Sequence, residues 1–173
     1  MRTPELQEVI DAWSALEAGL DQEESDDRIL GYVSMLRAIA EHGAASLDGL
    51  ATTTGRSRER IGDFVRGLAA AGFEVDAEGN VVGAALTVTP TPHCFRVKGR
   101  DLFAWCALDS LFLPGLLDET AEVASSCPSS GEEIRLTVSP GGVEAYSPIT
   151  AALTVVIPQK LAAAGGTGPA SPT

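Results

Sequence analysis

The spacing of the apolar residues changes near residue 73, and this change restricts the possible folds more than any other feature of the sequence. Before it, apolar side chains recur three or four residues apart, which is typical of one face of a helix. After it, the apolar runs are short, rich in β-branched residues and bounded by turn residues, which is typical of strands. The sequence therefore predicts an α+β protein, with a helical N-terminal region followed by a mixed or antiparallel β-sheet core.

Residues 1–45 predict two helices. Thr3-Pro4 opens the first, because a capping residue followed by proline is a good helix start. The acidic segment Asp21–Asp27 predicts a loop. A second helix is expected to begin at Ser25 or Asp26 and to end at Gly43, since glycine favours helix ends.

The next segment, residues 46–88, has the order helix, turn, helix, hairpin. Ser46 and Ser57 can cap its two helices, and Gly55 can make the turn between them. Two extended runs, Phe73–Val75 and Val81–Val88, then flank a turn at residues 78–80 and predict a β-hairpin. This order is typical of a winged helix.

Two uses of this winged-helix-like region are open. A DNA-binding use would depend on four arginines on or near its second helix, Arg56, Arg58, Arg60 and Arg66. However, residues 1–90 carry 7 Lys+Arg against 16 Asp+Glu, a net charge of −9, and the whole chain has a net charge of −12. Such acidity opposes binding to a phosphate backbone or to anionic lipid. This acidity argues against nucleic acid as a partner, and the region is therefore interpreted as a packing module.

The second half begins with another hairpin. Residues 93–98 and 101–105 flank Gly99-Arg100 as its two strands. The hairpin runs directly into an apolar helix over residues 103–117, which Pro114-Gly115 is expected to kink or end. This helix is the predicted centre of the β core.

Three further extended runs complete the predicted sheet, Glu133–Val138, Gly142–Tyr146 and Ala151–Ile157. Residues 161–173 are small and rich in proline and glycine, and they predict a disordered tail. The chain is accordingly divided into a winged-helix-like region at 1–90, a β core at 91–160 and the tail.

The stretch RVKGRDLFAWCALDSLFLPGLLDETAEVASSCPSSGEEIRLTVSP closely resembles the organomercurial lyase (alkylmercury lyase) family. The shared features are a hairpin entering an AWCALD helix, a following Leu-Pro, a cysteine in a loop of small residues, and RLTVSP. The D-x-x-GN-x-x-G hairpin from Asp76 to Gly83 also matches. The resemblance extends over roughly residues 28 to 158, and AWCALD in this setting is a specific signal.

The resemblance implies cleavage of carbon–mercury bonds by protonolysis, with a hydrocarbon and Hg(II) as products and no further cofactor. It assigns catalytic roles to Cys106 and Asp109 and a structural role to Cys127. The family uses a second catalytic cysteine, beyond the strand that matches Ala151–Ile157. This sequence has no cysteine after Cys127, and the family-like pattern stops at Pro158, before the C-terminal part of the family's domain. Lack of that part would leave a sheet edge or an apolar face uncovered, which predicts a possible homodimer and a degenerate lyase.

The residue types at the motif suit this chemistry. Mercury is soft and prefers thiolate ligands, and on a helix two residues three apart have Cβ atoms about 5–6 Å apart. Aromatic neighbours at Phe103, Trp105 and Phe112 would form an apolar pocket and raise the pKa of Asp109 by burial. The alternative is structural, with Cys106 as a small core residue and Asp109 as a buried polar anchor.

Cys94 is the candidate for a second metal-binding thiol. A turn at Gly99-Arg100 would place it opposite Trp105, and a three-residue turn would place it opposite Cys106, with Cβ atoms ~4.5–5.5 Å apart. A register shift of one residue would reverse the face on which it lies. The neighbouring His93 is interpreted as a surface residue, with metal ligation as the alternative.

Three functions follow from these observations. The first is an organomercurial lyase, acting on small organomercurials together with cellular thiols. The second is a lyase fold that binds a soft metal or another ligand at Cys106 and Asp109 without cleavage. The third is a winged-helix metal-responsive regulator. A cytoplasmic location is expected, because the odd number of cysteines favours free thiols and neither a signal peptide nor a membrane span is visible in the sequence.

Overall fold

The computed structural model describes residues 22–154, of which Asp26–Leu153 form one compact unit. The helices are α1 (Gln22–His42), α2 (Leu47–Thr54), α3 (Arg58–Ala70) and α4 (Asp109–Leu117). The strands are β1 (Glu74–Val75), β2 (Val81–Ala84), β3 (Leu86–Thr87), β4 (His93–Val97), β5 (Arg100–Ala104), β6 (Ala121–Ser126), β7 (Glu133–Ser139) and β8 (Gly142–Ser147). The helix predicted to open at Thr3-Pro4 and the predicted tail lie outside the described residues. Within them, no helix has the length and apolar character needed to cross a membrane.

The eight described strands form one sheet in the order β1-β2-β3-β5-β4-β6-β7-β8. Every neighbouring pair is antiparallel. The prediction of an α+β protein with a helical N-terminal region and an antiparallel sheet is therefore confirmed. The sheet joins strands from both predicted regions, because β3 pairs with β5.

The helix boundaries largely follow the local capping signals. The Ser46 hydroxyl accepts a hydrogen bond from the Gly49 N–H at 3.1 Å, and the Ser57 hydroxyl accepts one from the Arg60 N–H at 3.3 Å. Gly43 has a φ of 81° and follows the end of α1, as predicted. The loop predicted at Asp21–Asp27 is wrong over residues 22–27, where the chain is already helical.

One hydrophobic core lies between the helices and one face of the sheet. Strand β4 shows the alternation, because Phe95 and Val97 are buried while Cys94 and Arg96 are exposed. The core draws on all four helices and on six of the strands; its members include Met35, Leu36, Ile39, Leu50, Ile61, Val65, Val81, Leu86, Phe95, Leu102, Leu113, Leu117, Val123 and Val138. The core therefore includes Leu113 and Leu117 of α4, the helix that begins at Asp109.

The predicted strand Val81–Val88 is broken in the structure. Ala85 has a φ of 64°, a left-handed conformation that reverses the chain. Strands β2 and β3 consequently pair with each other, and Gly83 lies opposite Thr87. The reversal brings the Thr87 hydroxyl within hydrogen-bond distance of Glu74 in β1.

The helix predicted over residues 103–117 starts later than expected. Residues up to Ala104 belong to β5, and α4 begins at Asp109. Pro114 does not end the helix, which continues to Leu117 and stops where Asp118 adopts a left-handed φ of 59°. Cys106 therefore lies in the turn before the helix, and the prediction that both motif residues lie on one helical face is wrong.

Two differences concern the far half of the sheet. The sequence does not predict strand β6, because its small and polar residues carry little β propensity. In the structure it pairs with β4 and β7, and Ala121, Val123 and Ser125 are on its buried face. Within the predicted strand Ala151–Ile157, residues 151–154 have no strand structure, and the rest lies outside the described residues.

Candidate active site

The turn between β5 and α4 carries the candidate site. The Trp105 N–H donates to the Ala85 carbonyl at 2.8 Å, which ties the end of β5 to the chain reversal. The Ser110 hydroxyl donates to the Ala107 carbonyl at 2.7 Å, and the Leu111 N–H donates to the Leu108 carbonyl at 3.0 Å. These bonds hold residues 105–108 in a tight turn at the N-terminus of the helix.

Cys106 and Asp109 are in direct contact across this turn. The Cys106 N–H donates to Asp109 Oδ2 at 2.8 Å, and Asp109 is the first residue of α4. A carboxylate in the first turn of a helix is also favoured by the positive end of the helix dipole. Cys106 is exposed, so a ligand can reach its sulfur while the carboxyl remains beside it.

The electrostatics of the pair favour the protonated forms. Burial is the main cause that raises the pKa of Asp109, and hydrogen bonds from Cys106 and the charge of His93 oppose it. Cys106 is exposed as a residue, yet partial burial of its thiol raises the pKa of the sulfur, and hydrogen bonding from the Asp109 N–H offsets part of the rise. Both shifts are towards the protonated form, so the carboxyl beside the sulfur is a weaker acid than a fully solvated aspartic acid.

Two further titratable side chains interact electrostatically with Asp109. Burial and, to a smaller extent, the charge of Asp109 raise the pKa of Tyr32 to about 12. Burial lowers the pKa of His93, although the charge of Asp109 opposes this shift. The His93 ring places Nδ1 3.0 Å from the Ser125 hydroxyl. His93 is thus half-buried, whereas the sequence predicts a surface residue.

Cys94 is not paired with Cys106 in the β4–β5 hairpin. The hairpin turns on Lys98-Gly99, both with positive φ (52° and 74°), and this two-residue turn pairs Cys94 with Phe103. The prediction that Cys94 lies opposite Trp105 or Cys106 is therefore wrong, because the turn begins one residue earlier than expected. Within residues 22–154, no three His, Cys, Asp or Glu side chains are placed to hold a metal ion together.

Of the three predicted aromatic pocket residues, one precedes the pair in the chain, one follows it, and both are open to solvent. Trp105 is 37% exposed and Phe112 is 38% exposed. Phe103 is half-buried and belongs to the part of β5 that pairs with Cys94. Sequence reasoning missed Glu74, whose Oε1 accepts a hydrogen bond from the Trp105 indole Nε1 at 2.8 Å. The available signal was a carboxylate inside the apolar run Phe73–Val75.

Cys127 lies apart from the pair, in the turn that follows β6. Its N–H donates to the Glu132 carbonyl at 2.9 Å, and its sulfur lies 3.2 Å from the Ser129 hydroxyl. Hydrogen bonds from Ser129 and Ser130 lower the pKa of this thiol to about 6. The half-buried position is compatible with the structural role that the family resemblance implies.

The fold and the site together define an α+β protein with an antiparallel sheet and an exposed thiol beside a carboxyl at a helix N-terminus. Residues 86–166 match the alkylmercury lyase family. An alkylmercury lyase of Staphylococcus epidermidis is 39% identical over 128 residues, which cover 74% of this chain and 58% of that protein. One of Pseudomonas putida is 38% identical over 127 residues, covering 73% of this chain and 59% of that protein.

A solved structure agrees with these relatives. The crystal structure of the mercury-bound form of MerB2 is 29% identical, with a TM-score of 0.62, and the match covers 83% of this chain and 69% of that one. The chain therefore belongs to the alkylmercury lyase family. It spans somewhat more than half the length of the curated relatives that it matches.

Proposed function

We propose that this protein is an organomercurial lyase in which Cys106 binds the mercury atom and Asp109 supplies the proton. The observation that carries the proposal is the 2.8 Å contact between the Cys106 N–H and the Asp109 carboxylate, with the thiol exposed. The family membership and the mercury-bound state of the similar solved structure support it.

The reaction can be written with balanced atoms. The Cys106 thiol exchanges with the thiol of an R–Hg–SR′ substrate, which forms R–Hg–Sγ and releases R′SH. The protonated Asp109 carboxyl then gives its proton to the carbon bonded to mercury. The electron pair of the C–Hg bond becomes the new C–H bond, the hydrocarbon leaves, and Hg(II) stays on the sulfur beside the Asp109 carboxylate.

A second sulfur ligand would weaken the C–Hg bond by increasing the electron density on mercury. We do not assign this task to Cys94, because Cys94 pairs with Phe103 rather than with Cys106. We propose that a cellular thiol takes this position, and the proton that it releases returns Asp109 to its acid form. A second cellular thiol then displaces Cys106 from Hg(II) and gives its proton to the Cys106 sulfur, so Hg(II) leaves as a dithiolate of the two cellular thiols.

We propose that α2, α3 and the β1–β2 hairpin act as a winged-helix-like packing module. Leu50 of α2 and Ile61 of α3 are buried in the core that also supports the sheet. Arg58 forms an ion pair with Asp48, and Arg66 forms one with its neighbour Asp63. These pairs reduce the positive charge available to a nucleic acid. We therefore do not favour a winged-helix metal-responsive regulator as the function.

A headspace assay tests the proposal. Purified protein is incubated with phenylmercury and excess thiol, and benzene is quantified for the wild type, Cys106→Ser and Cys94→Ser. We expect release from the wild type and from Cys94→Ser, and none above background from Cys106→Ser. Stoichiometric Hg(II) binding without benzene release would instead establish a lyase fold used for metal binding.

A further inference from the structure

The Glu74 side chain is held by three donors from two parts of the chain, residues 87–89 and Trp105. Oε1 accepts the Trp105 indole Nε1–H at 2.8 Å, and Oε2 accepts the Thr87 and Thr89 hydroxyls at 2.8 and 2.6 Å. Hydrogen bonds to a carboxylate are stronger than those between neutral groups. The network therefore fixes both oxygens of Glu74 and, through one of them, the ring of Trp105.

Gly83 makes room for this arrangement. It lies opposite Glu74 in the β1–β2 pair. A Cβ atom at position 83 would lie 2.5 Å from Glu74 Cδ and 2.7 and 2.8 Å from the two carboxylate oxygens. Only glycine therefore lets the Glu74 side chain lie across β2 towards Thr87.

The Trp105 ring also contacts an aromatic neighbour. Phe73 contacts it edge-on, with ring centroids 5.5 Å apart, and Tyr32 contacts Phe73 in the same way at 6.3 Å. Trp105, Phe73 and Tyr32 therefore form a row of three aromatic rings. Trp105 is next to Cys106 in the chain, and Tyr32 interacts electrostatically with Asp109. Trp105 remains 37% exposed, so part of the indole is free to contact a ligand at the site.

We propose that Glu74 is a positioning residue that holds the Trp105 indole as a wall for the organic group of a mercurial bound at Cys106, and that this wall favours aryl over methyl groups. An aryl ring can pack against the indole over a large area, whereas a methyl group covers little of it. Aromatic contacts of this kind change affinity on the order of two- to tenfold. This inference rests on the proposed function.

The test uses Trp105 as its own reporter. The chain has two tryptophans, so a Trp13→Phe background leaves only Trp105 emission. In this background we compare Glu74→Ala, the conservative Glu74→Gln and Gly83→Ala. Thermal melts first establish that each variant folds, and KM and kcat are then measured for phenylmercury and methylmercury.

Glu74→Ala is expected to shift Trp105 emission and to raise the KM for phenylmercury roughly fivefold, the loss of one oriented aromatic contact. The kcat and the KM for methylmercury should change less than about twofold, since neither depends on the indole. Glu74→Gln keeps an acceptor oxygen for the indole and should restore most of the emission and the KM.

Gly83→Ala should reproduce the effect of Glu74→Ala, because the added Cβ displaces the carboxylate without removing it. In a Glu74→Ala background the same change should add little, since the clash has gone. Unchanged Trp105 emission and unchanged phenylmercury KM in Glu74→Ala would overturn the inference. So would an equal loss for both mercurials.

Failure of the proposed function gives a different result. If the wild type releases no hydrocarbon, phenylmercury binding at Cys106 is measured instead, from the quenching of Trp105 emission. Weaker phenylmercury binding in Glu74→Ala, with methylmercury binding unchanged, then still supports the positioning role. Equal binding of phenylmercury by the wild type and Glu74→Ala rejects it.

Discussion

The backbone N–H of Cys106 donates to Oδ2 of Asp109 at 2.8 Å, so one carboxyl both closes the turn that carries the thiol and has the proposed role of acid. The two roles are separable by substitution. An asparagine keeps an oxygen that can accept the Cys106 N–H, whereas an alanine removes both the acceptor and the acid.

Asp109→Asn is expected to lower hydrocarbon release by about a hundredfold or more, because a positioned general acid contributes on the order of 10²- to 10⁴-fold. Stoichiometric binding of Hg(II) at Cys106 should remain. Single-turnover release of benzene and mercury content after gel filtration measure the two properties. Turnover close to that of the wild type would show that another group supplies the proton.

Asp109→Ala should in addition destabilise the fold. The loss of an acceptor at a helix N-terminus costs about 1 kcal/mol of the free energy of unfolding. Urea titration followed by circular dichroism measures this cost, with Asp109→Asn as the matched variant. Equal stability of the two variants would mean that the Cys106–Asp109 hydrogen bond does not stabilise the turn.

Cys127 should react faster than Cys106, although Cys106 is the more exposed residue. Hydrogen bonds from Ser129 and Ser130 lower the pKa of Cys127 to about 6, whereas burial raises the pKa of Cys106. At pH 7 iodoacetamide should therefore modify half-buried Cys127 before exposed Cys106, since the thiolate is the nucleophile.

Peptide mapping by mass spectrometry over a time course gives both labelling rates. Ser129→Ala should slow the labelling of Cys127 at pH 7 and leave that of Cys106 unchanged. Faster labelling of Cys106 at every pH would contradict the prediction.

Stability should fall as the pH drops below about 7, in part through His93. Burial lowers the pKa of His93 below its ordinary value of 6.5. Between 6.5 and that lower value the unfolded chain binds a proton that the folded chain does not, so the free energy of unfolding decreases as the pH falls through this window.

His93→Gln should flatten this part of the pH dependence while keeping a side chain that can reach Ser125. The free energy of unfolding is measured by urea titration at several values between pH 5 and pH 8. His42→Gln is the control, because His42 lies exposed at the end of α1. An unchanged slope in His93→Gln would contradict the assignment.

The homodimer expected from the sequence remains a prediction. Strand β8 is the last strand in the order of the described sheet, and its Val143 and Tyr146 are 46% and 51% exposed. A second copy could pair with such an edge. We expect concentration-dependent self-association in sedimentation experiments, and Tyr146→Lys should weaken it; a monomer at all concentrations would reject the dimer.

Local signals could be predicted because all their atoms lie within a few residues. Ser46 and Ser57 cap their helices as expected, and Gly43 follows the end of α1. Strand β6 was missed because its residues have little intrinsic preference for strands, and it forms through its pairing with β4 and β7. The reversal at Ala85 was missed for a related reason, since alanine seldom adopts a left-handed φ.

The sequence by itself determined the α+β class, the family and the Cys106–Asp109 pair, because residues three apart stay within reach in a turn as well as in a helix. Only the tertiary structure decided what surrounds that pair. The turn at Lys98-Gly99 sets the register that pairs Cys94 with Phe103 instead of Cys106. The Glu74–Trp105 hydrogen bond joins residues 31 positions apart. Such contacts depend on strand pairing across the sheet, which no local sequence preference encodes.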